Sequence, residues 1–212
     1  MYFGCIVPAY GYAYFAPTII RGLGFSPISA QLHSVPPWIA AFGLGMACAY
    51  ASDRTRHRAA FGIVPAALGL SGFAVLLAHP ASVRVRYGAL FLCATGVYTA
   101  MPLFIGWYSC NLSGHLRRGV GIAFQIGFGN IGGIFASYAF PATDGPRYTM
   151  GYALCIAFLI VAMGAAAAYY VACAAQNKAR ERRQAAGERD DHLSPEERAV
   201  RGDMRVGYRY ML

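Results

Sequence analysis

The first 175 residues contain no lysine and no glutamate. Their only charged groups are nine arginines and two aspartates, Asp53 and Asp144. A water-covered domain of that size carries charge on about a quarter of its residues, so ordinary solvation of this stretch is excluded. Clustered cysteines are also lacking. Cys5, Cys48, Cys93, Cys110, Cys155 and Cys173 are scattered, with no Cys-x-x-Cys pair. That spacing argues against a metal site or a disulfide framework and leaves small apolar packing residues. The chain has no His-Glu-x-x-His, no Gly-x-Ser-x-Gly and no paired carboxylates, and its five histidines are isolated. No catalytic set, metal or cofactor is therefore expected.

What the sequence does contain is six long charge-free stretches: 1–20, 22–52, 59–83, 87–116, 119–143 and 148–177. Each reaches the ~20 residues a helix needs to cross the ~30 Å hydrocarbon core. Spans are expected near 1–20, 34–52, 60–79, 87–109, 119–140 and 149–173. The expected fold class is an all-α membrane protein, with a six-helix transmembrane bundle over 1–175 and a hydrophilic tail over 176–212. The net charge of +9 does not indicate nucleic acid, because the basic groups sit in short connections rather than on a basic face. They suit membrane orientation instead. Alternate connections hold ten basic residues on one side (Arg54, Arg56, Arg58, Arg117 and Arg118, with five more from Lys178 to Arg189) and four on the other (Arg21, Arg84, Arg86, Arg147). Basic residues favour cytoplasmic loops, which puts both termini in the cytoplasm.

Prolines and glycines punctuate the spans. Pro8 and Pro17 lie in the first, among many aromatics, and such helices are often bent or discontinuous. Residues 22–33 read as an outer loop, and Val35-Pro-Pro-Trp38 as the first turn of the second span. Gly127-Phe-Gly-Asn-Ile-Gly132 matches a dinucleotide fingerprint but lacks the strand, soluble helix and acidic residue that fingerprint requires. Gly129 and Gly133 instead form a G-x-x-x-G pair suited to close helix packing.

Neutral polar groups are the candidates for function. An amide in lipid is costly unless paired, so Gln125 and Asn130 are expected to face protein or a watery path. Thr95, Tyr98 and Pro102 share one face of the fourth span, and Asn130 and Ser137 one face of the fifth. Each set fits either a substrate pathway, to which Tyr14 is added, or interhelical hydrogen bonding; Gln125 shares a face with Gly129 and Gly132. The connection Asp53-Arg-Thr-Arg-His-Arg58 fits either a gating latch through Asp53, Arg54 and Arg58 or simple anchoring. Asn111-Leu-Ser113 is a glycosylation sequon by pattern, which a cytoplasmic location would leave unmodified. The tail reads as disordered, apart from a helix start at Ser194-Pro-Glu-Glu197 with a capping box.

Specific strings resemble the C-terminal half of fungal anion:cation symporters of the major facilitator superfamily, the allantoate, nicotinate, pantothenate and biotin permeases. They are Phe15-Ala-Pro-Thr-Ile-Ile20 with Gly22-Leu-Gly-Phe25, Val35-Pro-Pro-Trp38, Ser52-Asp-Arg54, Trp107 with Asn111-Leu-Ser-Gly-His115, Gln125 through Gly133, Asp144-Gly-Pro-Arg-Tyr148 and Tyr208-Arg-Tyr210. The superfamily pattern has glycine where this chain has Ala49 and Arg56. The resemblance implies one half of a twelve-helix carrier, with an N-terminal six-helix half missing. It implies alternating access in the lipid bilayer of the plasma membrane and a small organic anion moved with a proton or cation. No lysine or arginine lies mid-span, so the main anion ligand is expected in the absent half. The substrate wall on this chain is expected at Tyr14, Thr95, Tyr98 and Asn130. The alternative is a truncated or non-transporting membrane protein, a fragment or a sensor.

Overall fold

Charge-free apolar runs of 20 residues or more satisfy their backbone groups in lipid by forming helices, strands of a closed barrel being about half that length. The computed structural model describes residues 1–22, 24, 26–140, 144, 147–188, 190, 194, 197 and 202–212. Leu23, Phe25, Gly145, Pro146, Arg189, His192, Pro195 and Glu196, each used in the sequence reading, lie outside the described residues. The helices are α1 (Tyr2–Gly22), α2 (Pro27–Thr55), α3 (Arg58–Leu77), α4 (Val83–Cys110), α5 (His115–Asn130), α6 (Gly132–Ala139) and α7 (Thr149–Ala185). Taking α5 and α6 together, six helical segments among the described residues are long and apolar enough to cross a membrane.

Several expected boundaries move. The outer loop over 22–33 shrinks, because Ser26 caps α2 by accepting from the Ser29 N–H at 3.3 Å and Pro27 follows in the first turn. Pro36 and Pro37 therefore lie inside α2 rather than at its start. The first span stays one helix despite Pro8 and Pro17. The fifth stays right-handed throughout but tightens at Ile131 (φ −56°, ψ −30°), where N–H groups reach back three residues: Ile131 to Phe128 at 3.3 Å and Ile134 to Ile131 at 3.1 Å. Such tightened bonds interrupt the α-ladder. The last helix runs past 175 to Ala185. Gly202–Leu212, expected to be disordered, pack against the bundle. The capping box at Ser194 is present: the Ser194 N–H donates to Glu197 Oε2 at 2.8 Å, and the Glu197 N–H donates to Ser194 Oγ at 3.2 Å.

The core sits between α3, α4 and α7, where Phe73, Leu90, Val97, Phe104, Trp107 and Leu159 are fully buried. α1 packs across α4, α6 and α7. α2 and the α5–α6 pair are peripheral: 17% of each apolar segment is buried, against 61% for α1.

The α2–α3 turn carries a strained residue. Arg56 caps α2 in the left-handed region (φ 59°, ψ 11°), with its N–H on the Ser52 carbonyl oxygen. A side chain there costs roughly 1–2 kcal/mol, and this is where the superfamily pattern has glycine. Arg56→Gly is expected to stabilise the chain by about 1 kcal/mol, read as a higher Tm in detergent. A lower Tm would mean that the arginine contributes more than its backbone costs.

Candidate functional site

Four spans meet near the middle of their helices in a patch of aromatic rings. Tyr98 on α4 donates its hydroxyl to the Ala9 carbonyl oxygen of α1 at 2.6 Å. Trp38 on α2 packs on Tyr98, with ring centroids 4.3 Å apart. Tyr12 on α1 meets both rings edge-on, at 6.0 and 6.1 Å. Two residues either side of Tyr12, and so on another side of α1, Tyr10 and Tyr14 stack almost parallel, 5.6 Å apart. The Tyr10 hydroxyl reaches Asn130 Oδ1 at 3.5 Å, at the α5–α6 junction.

The patch has both apolar and polar character. Tyr14 and Asn130 are exposed. Tyr12 is buried, and its hydroxyl has no hydrogen-bond partner. An unsatisfied buried hydroxyl costs about 1–3 kcal/mol, so Tyr12 holds an unused donor and acceptor beside Trp38 and Tyr98. Rings of this kind stack on planar groups, and hydroxyls and an amide supply hydrogen bonds to oxygens. A crevice of about 410 Å³ lies between α2 and α3, lined by Leu44, Cys48, Phe61, Val64 and Leu68. Its lining is apolar and holds nothing that would recognise a charged solute. Among the described residues no group of three His, Cys, Asp or Glu gathers.

Of the residues singled out in the sequence, Tyr14, Tyr98 and Asn130 fall in or beside this patch. Thr95 does not join it through any polar contact: its hydroxyl donates to the Phe91 carbonyl oxygen of its own helix at 2.6 Å. Ser137 likewise bonds back to Gly133 at 3.0 Å. Gln125 lies by Tyr2, Phe3 and Tyr108, away from the patch, with Oε1 unpartnered. Sequence reading missed Trp38, whose Pro-Pro-Trp context looked like a helix start. It also gave Tyr10 and Tyr12 no role; their spacing to Tyr14 was the available signal. Gly129 and Gly133 do pack closely, against the rings of Tyr2 and Tyr10.

At one end of the bundle, Arg58 Nη2 pairs with Asp53 Oδ1 at 2.6 Å across the α2–α3 turn. Asp53 is 67% exposed, so the pair adds at most about 1 kcal/mol; a bond that weak is easily made and broken. Arg54 forms no ion pair among the described residues. Asn111 of the sequon is 2% exposed, and its amide is engaged by Met211.

Comparison with known proteins gives kinship. The chain is 30% identical over 96% of its length to an uncharacterized transporter of Schizosaccharomyces pombe. It is 30% identical over 84% of its length to the MFS-type transporter cnsO of Penicillium expansum. It is 31% identical over 74% of its length to the high-affinity nicotinic acid transporter of Saccharomyces cerevisiae. The chain spans only 39%, 35% and 29% of these three proteins respectively. No family model and no solved structure matches.

Proposed function

Because the chain's relatives are fungal transporters of the major facilitator type, we propose that it is the C-terminal six-helix half of such a carrier, moving a small organic anion by alternating access. In that scheme two six-helix bundles rock about a site between them. The observation that carries the proposal is the aromatic and polar patch near the middle of the helices, presented by α1, α2, α4 and α5. The two helices that expose most support it. On α2, Ile28, Leu32, Val35, Ile39, Phe42 and Met46 form one exposed apolar stripe, at the three- and four-residue spacing of a helix face. A stripe from Leu116 to Tyr138 does the same on α5 and α6. Both stripes suit cover by a second bundle.

The patch and the named relative support a substrate class. Stacked rings favour a planar solute, and the tyrosine hydroxyls with Asn130 offer bonds to carboxylate oxygens. A nicotinate-like monocarboxylate fits that description. The anion's positive partner and the coupling group, for a proton or another cation, belong to the other half, since no lysine or arginine stands in the patch. The basic asymmetry of the connections supports cytoplasmic termini, with the plasma membrane as the site of uptake.

Saturable uptake of labelled nicotinate and related carboxylates tests the proposal, with the chain expressed alone and joined to a complementary six-helix half. Uptake by the joined form only is the expected result. A joined form that assembles and inserts but takes up no carboxylate would favour a non-transporting membrane protein instead.

A further inference from the structure

α3 begins without a side-chain cap, because His57 at the cap position makes no capping bond. The first N–H groups of a helix need partners from outside it. For Arg58 that partner is the Leu212 carbonyl oxygen, at 2.7 Å. A residue remote in sequence therefore caps the helix that follows the Asp53–Arg58 turn.

The segment that brings Leu212 there is held by buried and half-buried polar groups. Asn111 clasps Met211 with both ends of its amide, accepting from its N–H at 2.7 Å and donating to its carbonyl at 3.1 Å. Trp107 Nε1–H donates to the same carbonyl at 2.8 Å. Asn177 repeats the clasp on Tyr210, at 2.8 and 2.9 Å. Two amides that each satisfy the N–H and C=O of one residue imitate a strand partner, and they hold backbone rather than side chain. Arg180 is 9% exposed. It donates to the carbonyls of Asp203 at 2.6 Å and Tyr208 at 3.1 Å, and its guanidinium lies 4.4 Å from the centre of the Tyr210 ring. Asp203 closes the network by pairing with Arg117 at 2.8 Å and accepting from the Tyr210 hydroxyl at 3.2 Å. Burial raises the Tyr208 phenol above its ordinary value, as do Asp203 and Tyr210. Its hydroxyl thus stays a donor to the Cys110 carbonyl oxygen, at 3.3 Å.

The hydrogen bonds of this seat go mainly to the backbone of one short segment. Detachment of that segment removes the cap on Arg58. We propose that residues 202–212 are a strap whose seating on Trp107, Asn111, Asn177 and Arg180 holds the α2–α3 turn, and whose release frees it. The strap is a property of this chain by itself and does not depend on transport.

Amide hydrogen exchange on the purified chain in detergent tests the strap. In the unsubstituted chain the amides of Tyr210, Met211 and Arg58 are expected to be protected together. Arg180→Ala removes several charge-assisted bonds. It is expected to speed exchange at Tyr210 and Met211 about tenfold or more, with Arg58 following. Asn177→Ala, at a half-exposed position, should act in the same direction and decides the matter if Arg180→Ala does not fold. Arg183→Ala, which removes only the exposed pair with Glu188, should leave all three amides unchanged. Release of Tyr210 and Met211 with Arg58 still protected would overturn the coupling. Free-chain exchange at Tyr210 and Met211 in the unsubstituted chain, or no response to either variant, would overturn the strap itself.

Discussion

Gly96→Val is expected to abolish recovery of a folded, monodisperse chain from detergent. A Cβ at Gly96 would run into the backbone nitrogen and Cα of Gly69 on α3 and come within 2.6 Å of the Pro65 carbonyl oxygen. One turn away, a Cβ at Gly72 would meet the Cys93 N at 2.7 Å and the Ala89 carbonyl at 2.9 Å. The α3–α4 crossing is therefore main chain on main chain, at the centre of the core. Overpacking a core costs about 1–3 kcal/mol when side chains give way. Here the obstacle is backbone, so the helices must separate along the crossing, and the cost should exceed about 3 kcal/mol. Size-exclusion chromatography and thermal melting read the outcome. The matched control is Gly43→Val on α2, where an added Cβ meets nothing within 4 Å. Its profile should stay monodisperse. Equal damage from both substitutions would locate the effect in helix propensity rather than in the crossing.

Expression of the chain alone is expected to give no saturable uptake above the background of cells without it. The patch supplies rings, hydroxyls and one amide, but no cation to oppose a carboxylate. In the joined carrier, Trp38→Ala should lower uptake at subsaturating substrate about tenfold, the effect of losing one well-packed aromatic anchor worth about 1.4 kcal/mol. Thr95→Ala should change it by less than about twofold, since that hydroxyl is spent on its own helix and backbone bonds of this kind contribute little. Full activity in Trp38→Ala would move the substrate path away from the aromatic patch.

Much of the fold was legible because lipid imposes a length and forbids charge. The gaps between arginines gave six spans, and Ser194 with Glu197 gave a cap from local chemistry alone. What depended on packing across the sequence was not legible. The closest helix crossing uses Gly69, Gly72 and Gly96, which share no short motif. The sequence directed attention instead to Gly129 and Gly133, whose neighbours are the side-chain rings of Tyr2 and Tyr10. The fifth span tightens at Ile131 rather than at a proline, and Pro8 and Pro17 leave the first span one helix. Half of the patch was visible as polar residues mid-span. Trp38 was not, because Pro36 and Pro37 resemble a helix start and only the Ser26 cap reveals that α2 opens at Pro27. The strap was least legible. A hydrophilic tail looks disordered until Asn111, Asn177 and Arg180 are seen to be arranged for its backbone.

The account rests on charged turns and apolar helices alternating across a bilayer, and accessibility labelling in intact cells tests that most directly. One cysteine at a time, at Thr55, the last residue of α2, or at Ser82, before α4, is added to a chain whose partly buried Cys48 and Cys110 have been replaced and whose other four cysteines are buried. A membrane-impermeant maleimide is expected to label Ser82→Cys in intact cells and Thr55→Cys only after permeabilisation. Labelling of both positions from the same side, or recovery of the chain as a soluble folded monomer, would contradict it.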